Sequence, residues 1–173
     1  MEIVISDTNI FIDLWNIGLL ERFCELPLSI HTTDFIIGEL KTQGVKDAIA
    51  QLHQEGKITI KTFKSNEYAE IISLQDKNLS FQDCTVLYYA LNGDYKLLTG
   101  DRNLRVIAER HGLQVSGIIY VMDELLHHDI LSKEEYITKL KALLESNHRL
   151  PTKEIMKRIE NSFRECQDNC SRK

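Results

Sequence analysis

The stretch Ile3-Val4-Ile5-Ser6-Asp7-Thr8-Asn9 decides the fold prediction. Its apolar, β-branched residues are consecutive rather than alternating, which predicts a strand buried on both faces, as in a parallel sheet. Open α/β sheets bind their ligands at the carboxyl ends of such strands. Asp7 and Asn9 are therefore candidate functional residues, although Asp7 or Thr8 could simply cap the helix that follows.

Further strands alternate with helical patterns along the chain. After Glu2–Ser6, strands are predicted at Leu28–Thr32, Lys57–Thr62, Tyr95–Thr99 and Gln114–Ser116. Lys57–Thr62 alternates polar and apolar residues, which is typical of a half-exposed edge strand. The alternation of strands and helices predicts an α/β sandwich with a mainly parallel central sheet.

The pattern is purely helical from Ser132 onward. We predict one domain over residues 1–130 and a helical extension over residues 131–173, packed on that domain or on a partner. The second of its two helices is predicted to carry Ile155, Ile159 and Phe163 on its apolar face.

The charge is unevenly distributed over the 173 residues, whose formal net charge is −5. Residues 1–131 contain 11 Lys and Arg against 19 Asp and Glu, whereas residues 132–173 contain 10 against 7. An acidic body argues against nonspecific binding of duplex nucleic acid, but bound divalent cations would reverse the field locally. The basic tail is either a solvated helical surface or a nucleic-acid contact, and we favour the first.

No apolar run approaches the roughly 18 residues that a membrane span needs. The first strand also begins too early to leave room for a signal peptide. The four cysteines, Cys24, Cys84, Cys166 and Cys170, lack zinc-site spacing. We therefore expect free thiols in a reducing cytoplasm rather than disulfides.

Four acidic residues are distinguished by their positions. Asp7 and Asp101 each end a predicted strand, Glu39 lies in an otherwise apolar helix, and Asp83 lies in the first turn of a helix. Carboxylates that converge in one pocket repel one another and are stable as anions when divalent cations lie among them. Oxygen ligands of this kind select Mg²⁺ or Mn²⁺.

Each of these residues also has a purely structural interpretation. Ser80-x-x-Asp83 has the pattern of a capping box, and Asp101 has the position of a helix N-cap. Glu39 could be an exposed helix residue, although its apolar neighbours make this the weakest of the alternatives.

Four segments resemble the acidic motifs of PIN-domain ribonucleases, in order and approximate spacing. They are Ser6-Asp7-Thr8-Asn9, Gly38-Glu39-Leu40, Leu79-Ser80-x-x-Asp83 and Leu98-Thr99-Gly100-Asp101-Arg102-x-Leu104-Arg105. The resemblance covers residues 1 to about 125 and implies a three-layer α/β/α sandwich. It also implies Mg²⁺ or Mn²⁺ held by Asp7, Glu39, Asp83 and Asp101, with Asn9, Ser80 and Thr99 orienting those carboxylates.

The resemblance implies a cytoplasmic Mg²⁺- or Mn²⁺-dependent endoribonuclease. Many members of this family are toxins of type II toxin–antitoxin pairs, the VapC-like group, and form homodimers. We therefore expect an RNA substrate, a possible antitoxin partner and a homodimer. The chain is longer than typical toxins of this group. This difference puts the identity of the partner in doubt, but not the proposed reaction.

The implied reaction is metal-assisted hydrolysis of an RNA phosphodiester, which requires no side chain as general base. Arg102 is weakly favoured as a substrate contact, whereas Arg105 could pair with Glu109 one turn later. The adjacent His127 and His128 face different directions on a helix and are predicted to be surface residues.

Two rival functions remain. A haloacid-dehalogenase-like phosphotransferase also places an Asp at a strand end, but it needs a second Asp where this chain has Asn9. The alternative to an enzyme is a PIN-fold module that binds RNA or protein without turnover.

Overall fold

The computed structural model describes the backbone of residues 2–170 and the side chains of residues 2–162. The described residues form five strands: β1 (Glu2–Ser6), β2 (Leu28–Thr33), β3 (Ile58–Lys61), β4 (Lys96–Leu98) and β5 (Val115–Ser116). Each strand predicted from the sequence is present, within one or two residues at either end.

Ten helices surround this sheet in the described part of the chain. They are α1 (Thr8–Asn16), α2 (Leu20–Phe23), α3 (Asp34–Glu39), α4 (Gln43–Gln54), α5 (Tyr68–Ser73), α6 (Phe81–Gly93), α7 (Arg102–Arg110), α8 (Ile118–His127), α9 (Lys133–Ser146) and α10 (Thr152–Cys170). None of the helices in the described residues is both long and apolar enough to cross a membrane.

The five strands form one parallel sheet in the order β3-β2-β1-β4-β5. In the central strand β1, the consecutive residues Val4, Ile5 and Ser6 are fully buried. Side chains of consecutive strand residues point to opposite faces, so both faces of the sheet are covered. The prediction of an α/β/α sandwich is confirmed, and β3 lies at an edge as its alternating sequence indicated.

The strand order reverses at β1, because β2 and β3 extend the sheet on one side and β4 and β5 on the other. Connections that diverge in this way leave a crevice at the carboxyl ends of the two central strands, here β1 and β4. Asp7 follows β1 directly, and Thr99, Gly100 and Asp101 follow β4. The topology therefore brings two of the four acidic segments to one crevice.

The two C-terminal helices pack on the rest of the chain. Tyr136, Leu140 and Leu143 of α9 and Ile155 and Ile159 of α10 are buried in the core. Helix α9 contacts α1 and α8, and Lys139 Nζ donates a hydrogen bond to the Ile17 carbonyl. The Phe163 side chain lies outside the described residues, and the boundary near residue 130 stays a prediction.

Two local details differ from the sequence prediction. The sequence of Ile17–Cys24 predicts a helix with a break at Gly18, and the structure forms only the short α2 there, because Gly18 adopts a left-handed φ of 67°. Glu39 was predicted inside a helix that continued through Leu40, but it is the last residue of α3, and Leu40 has the extended ψ of 129°. Glu39 therefore stands where the chain leaves the helix.

Candidate functional site

A cavity of about 540 Å³ opens at the carboxyl edge of the sheet. All four predicted acidic residues line it, together with Asn9 and Ser80, and its other lining residues are Thr8, Ile12, Leu40, Lys41, Thr42 and Val45. Four separate segments contribute the carboxylates, which follow β1, end α3, open α6 and follow β4. Their proposed roles as metal ligands stay predictions, but the structure brings the four residues to one place.

Asp7 is the most constrained of the four. Its side chain is only 2 % exposed, and it caps α1 by accepting a hydrogen bond from the Thr8 amide through Oδ1 at 2.6 Å. Oδ2 accepts from Asn9 Nδ2 at 3.1 Å and from Thr99 Oγ1 at 2.8 Å. Burial, with a smaller contribution from the negative charge of Asp83, raises the pKa of Asp7 to about 6 despite these donors. A charged Asp7 therefore lies in surroundings that favour a compensating cation.

Thr99 connects two of the acidic residues through one hydroxyl group. While its Oγ1 donates to Asp7 Oδ2, it accepts a hydrogen bond from the Asp101 amide at 2.9 Å. Thr99 is fully buried at the end of β4. Asn9 and Thr99, which the resemblance implies orient the carboxylates, thus both donate hydrogen bonds to Asp7, and their role toward a metal stays a prediction.

Thr8 is a site residue that the sequence prediction missed. Its Oγ1 donates to Glu39 Oε2 at 3.0 Å and so joins the start of α1 to the end of α3. The signal in the sequence was weak, since a Thr after a strand-end Asp is an ordinary helix-start residue. Its partner lies 31 residues away and becomes visible only in the folded chain.

Ser80 and Asp83 form the capping box that the sequence suggested. The Asp83 amide donates to Ser80 Oγ at 3.1 Å, and Asp83 Oδ2 accepts from the Ser80 amide at 2.8 Å and from Ser80 Oγ at 2.7 Å. Both residues also line the cavity. Capping and a role in the cavity are therefore compatible, and the predicted contact of Ser80 with Asp83 is present.

Asp101 likewise combines a structural contact with a place in the cavity. It is the N-cap of α7, and its Oδ1 accepts from the amides of Asn103 at 2.8 Å and Leu104 at 2.9 Å. Its second carboxylate oxygen makes neither of these capping contacts.

The oxygen ligands fit a hard divalent cation, because four carboxylates, three hydroxyl groups and an amide line the cavity. Over the residues whose side chains are described, however, no three His, Cys, Asp or Glu side chains come close enough to hold one ion. Mg²⁺ keeps several water ligands and is often held by only one or two carboxylates. The spacing of these carboxylates is therefore compatible with a hydrated Mg²⁺ ion bound by one or two of them. It is less compatible with an ion that is enclosed by protein ligands.

Arg102 does not line the acidic cavity, although the sequence favoured it as a substrate contact. It lies beside Asp76 and Arg110 in a smaller depression of about 280 Å³. Arg105 pairs with Glu109 at 3.7 Å, as the alternative held, and donates to the carbonyls of Val115 and Thr99. Sequence reasoning missed Lys41, which lines the acidic cavity, and Arg149, whose Nη2 lies 3.5 Å from Asn9 Oδ1.

The remaining candidates do not join the site. His127 and His128 are exposed, as predicted, with their rings 5.3 Å apart. Cys24 and Cys84 are free thiols, and burial raises the pKa of each to about 11. The side chains of Cys166 and Cys170 lie outside the described residues.

Two solved structures similar to this chain share low sequence identity with it. One is a domain of a functionally unknown protein from Methanocaldococcus jannaschii, with 20 % identity, a TM-score of 0.46, and 68 % of this chain and 91 % of that chain covered. The other is a PilT N-terminus domain protein from Sulfolobus solfataricus, with 13 % identity, a TM-score of 0.44, and 72 % and 93 % covered. The search of curated proteins found no match.

The family comparison covers nearly all of the described chain. Residues 3–163 match the family DUF3368, described as a PIN domain. The match extends through α9 and into α10, beyond the four acidic segments on which the sequence resemblance was based. Proteins of this kind are typically nucleases, and such nucleases generally use divalent metal ions. The chain belongs to the PIN domain family.

Proposed function

We propose that this protein is a Mg²⁺- or Mn²⁺-dependent endoribonuclease whose site is formed by Asp7, Glu39, Asp83 and Asp101. The observation that carries the proposal is the convergence of four carboxylates, from four separate segments, on one cavity at the switch point of the sheet. Helix capping by itself accounts for the positions of Asp7, Asp83 and Asp101, each considered separately. It does not explain why all four line one cavity.

The side chains of this protein position the reacting groups. The bound cation would lower the pKa of the attacking water and stabilise the leaving oxygen. Three donors fix the carboxylate of Asp7, and Thr8 restrains Glu39, so neither group has to be ordered during the reaction. No histidine is among the described side chains that line the cavity, which is in keeping with hydrolysis that needs no side chain as general base.

The proposal is tested by cleavage of single-stranded RNA in Mn²⁺ or Mg²⁺, comparing wild type with Asp7→Asn and Asp101→Asn. Asn is as good an N-cap as Asp, so both variants keep their helix caps. We expect each to lose at least about a hundredfold in cleavage rate, since even residues that only orient metal ligands contribute tenfold to a hundredfold.

The matched control is Asp94→Asn. Asp94 is an exposed acid with a left-handed φ of 50°, a conformation that Asn tolerates, and it does not line the acidic cavity. Cleavage that survives Asp7→Asn, or that persists in excess chelator, would contradict the proposed site.

One observation favours a second candidate, a PIN-fold module that binds RNA or protein without turnover. The acidic residues do not form a closed cluster of three potential metal ligands in the described part of the chain. RNA binding that needs no divalent cation, with no cleavage of any RNA tested, would support this candidate over the enzyme.

We also propose, from the family resemblance, that the protein is the toxin of a type II pair and acts as a homodimer with an antitoxin partner. Induced expression should then arrest growth for the wild type and not for Asp7→Asn. Growth arrest by both proteins at equal expression would contradict a toxin that acts by cleavage. Light scattering of the purified protein gives its oligomeric state directly.

A further inference from the structure

A second cavity, of about 510 Å³, lies next to the acidic one. Thr99 and Gly100 line the second cavity, and the next residue, Asp101, lines the first. Arg149 lines the second cavity and contacts Asn9, which lines the first. The two cavities are therefore neighbours along the same edge of the sheet.

The walls of the second cavity come from two parts of the chain. One wall follows β4 and includes the start of α8, and the other is formed by the α9–α10 connection and the first turns of α10. The connection is held by Asn147, whose Nδ2 lies 3.0 and 3.1 Å from the two carboxylate oxygens of Asp13 and whose Oδ1 accepts from the Arg149 amide at 3.1 Å. Arg149 is thus presented from a fixed segment.

The charge of the second cavity is opposite to that of the first. Arg105, Arg149 and Arg158 line it, against Asp123 and Glu154. Arg158 is neutralised, because its guanidinium binds Asp123 at 2.9 Å and Glu154 at 2.9 Å. Arg105 donates to two uncharged carbonyl groups, and among the described side chains it forms an ion pair with Glu109 at 3.7 Å.

Arg149 is the most available of these cations. Its residue is exposed, and the structure records no salt bridge for it with any carboxylate of the described side chains. The positive charge of Arg149 lowers the pKa of Asp13, but the two carboxylate oxygens of Asp13 already accept hydrogen bonds from Asn147. A guanidinium in this position is suited to bind a phosphate group with two parallel hydrogen bonds.

We propose that the second cavity binds the backbone of the RNA strand beside the scissile phosphate, with Arg149 as the principal phosphate contact and Arg105 as a supporting charge. This inference rests on the proposed function, because it assigns the neighbouring acidic cavity to the cleaved phosphodiester. The α9–α10 connection then contributes a substrate-binding residue that none of the four acidic segments contains.

The test is the affinity of a fluorescein-labelled single-stranded RNA oligonucleotide, measured by anisotropy over a range of NaCl concentrations. All proteins carry Asp7→Asn, so that cleavage does not interfere. We expect Arg149→Gln to raise Kd about tenfold and to reduce the slope of log K against log [NaCl] by about one, as for loss of one phosphate contact.

The matched control is Lys57→Gln, which removes the same charge. Lys57 is exposed, pairs with Glu55, and precedes β3, at the amino edge of the parallel sheet opposite both cavities. We expect its Kd to stay within about twofold of the parent, because Lys57 lies at the opposite edge of the sheet from the proposed phosphate contact. Equal effects of Arg149→Gln and Lys57→Gln on Kd and on the salt slope would overturn the proposal.

A kinetic comparison separates this proposal from the proposed function. In protein with Asp7 intact, Arg149→Gln should raise KM with little change in kcat, because a phosphate contact away from the reacting atoms binds ground state and transition state alike. If Arg149→Gln weakens RNA binding but the wild type cleaves no RNA, the proposed nuclease activity is contradicted and the proposed RNA-binding role of Arg149 is supported. If the wild type cleaves RNA and Arg149→Gln leaves KM unchanged, the proposed role of Arg149 is contradicted and the nuclease proposal is supported.

Discussion

At the scale of single residues, the Thr99 hydroxyl has two partners of different kinds. It donates to a buried carboxylate and accepts from a backbone amide, so it joins the residues that follow β1 and β4. A side chain without a hydroxyl would leave the Asp101 amide without this acceptor and one oxygen of Asp7 without this donor. Buried polar groups that lose a partner cost about 1–3 kcal/mol each.

Thr99→Val is therefore expected to lower the free energy of unfolding by about 2 kcal/mol, although it conserves the volume of the side chain. Urea unfolding measures this loss. Thr99→Ser is the control, because it retains the hydroxyl and should recover most of the stability. A loss of stability in Thr99→Ser with none in Thr99→Val would mean that packing of the methyl group, rather than the hydrogen bonds, is responsible.

The contribution of Asn147 to stability should depend on pH, because its partner is the buried carboxyl group of Asp13. Burial raises the pKa of Asp13, and the hydrogen bonds from Asn147 and the charge of Arg149 lower it. A carboxyl group whose pKa is higher in the folded state than in the unfolded state reduces stability as pH rises through that range. Removing the Asn147 donors leaves the ionised form of Asp13, which is only 5 % exposed, less well solvated.

Asn147→Ala should consequently lose more stability at pH 8 than at pH 4, by about 1–3 kcal/mol. Urea midpoints at the two pH values measure the difference. In an Asp13→Asn background the pH dependence of the Asn147→Ala effect should disappear. A loss that is the same at both pH values would show that Asp13 is not involved.

At the scale of helices, two capping boxes provide a natural comparison. Ser80 with Asp83 opens α6 at the acidic cavity, and Ser132 with Glu135 opens α9 in the same geometry. Ser132 does not line either cavity. The two serines therefore have the same structural contact in different chemical surroundings.

Ser80→Ala and Ser132→Ala should each lower the free energy of unfolding by about 1 kcal/mol, the usual contribution of an N-cap. Only Ser80→Ala should also reduce RNA cleavage, by about tenfold to a hundredfold, because Ser80 Oγ restrains Asp83. Equal cleavage by the two variants would mean that Ser80 acts in α6 as a cap alone.

The range of each contact along the chain explains which features could be predicted from the sequence. The strand β1 and the caps at Ser80 and Asp101 were predictable because their signals are local: an apolar run, or a capping residue a few positions from its partner. The Thr8–Glu39 contact and the approach of Arg149 to Asn9 join residues 31 and 140 positions apart. No local pattern encodes such pairs, and Arg102 was favoured as a substrate contact because it is adjacent to Asp101 in sequence.

At the scale of the whole molecule, a cation bound at the acidic cavity should stabilise the fold by mass action. A ligand present at a hundredfold excess over its Kd contributes about 2.7 kcal/mol, which raises Tm by roughly 5–10 °C for a chain of this size. We expect this shift with Mg²⁺ or Mn²⁺ for wild type and Asp94→Asn. In Asp7→Asn the shift should be much smaller, and an undiminished shift there would place the cation elsewhere.

The position of β1 beside β4 also affects how the protein reaches its native state. Asp7 and Thr99 meet across 92 residues of chain, so their contact forms only after a long loop has closed. Parallel sheets with such distant pairings fold slowly, in milliseconds to seconds. Asp101 follows β4, and so the complete set of carboxylates is assembled only once β4 has paired with β1.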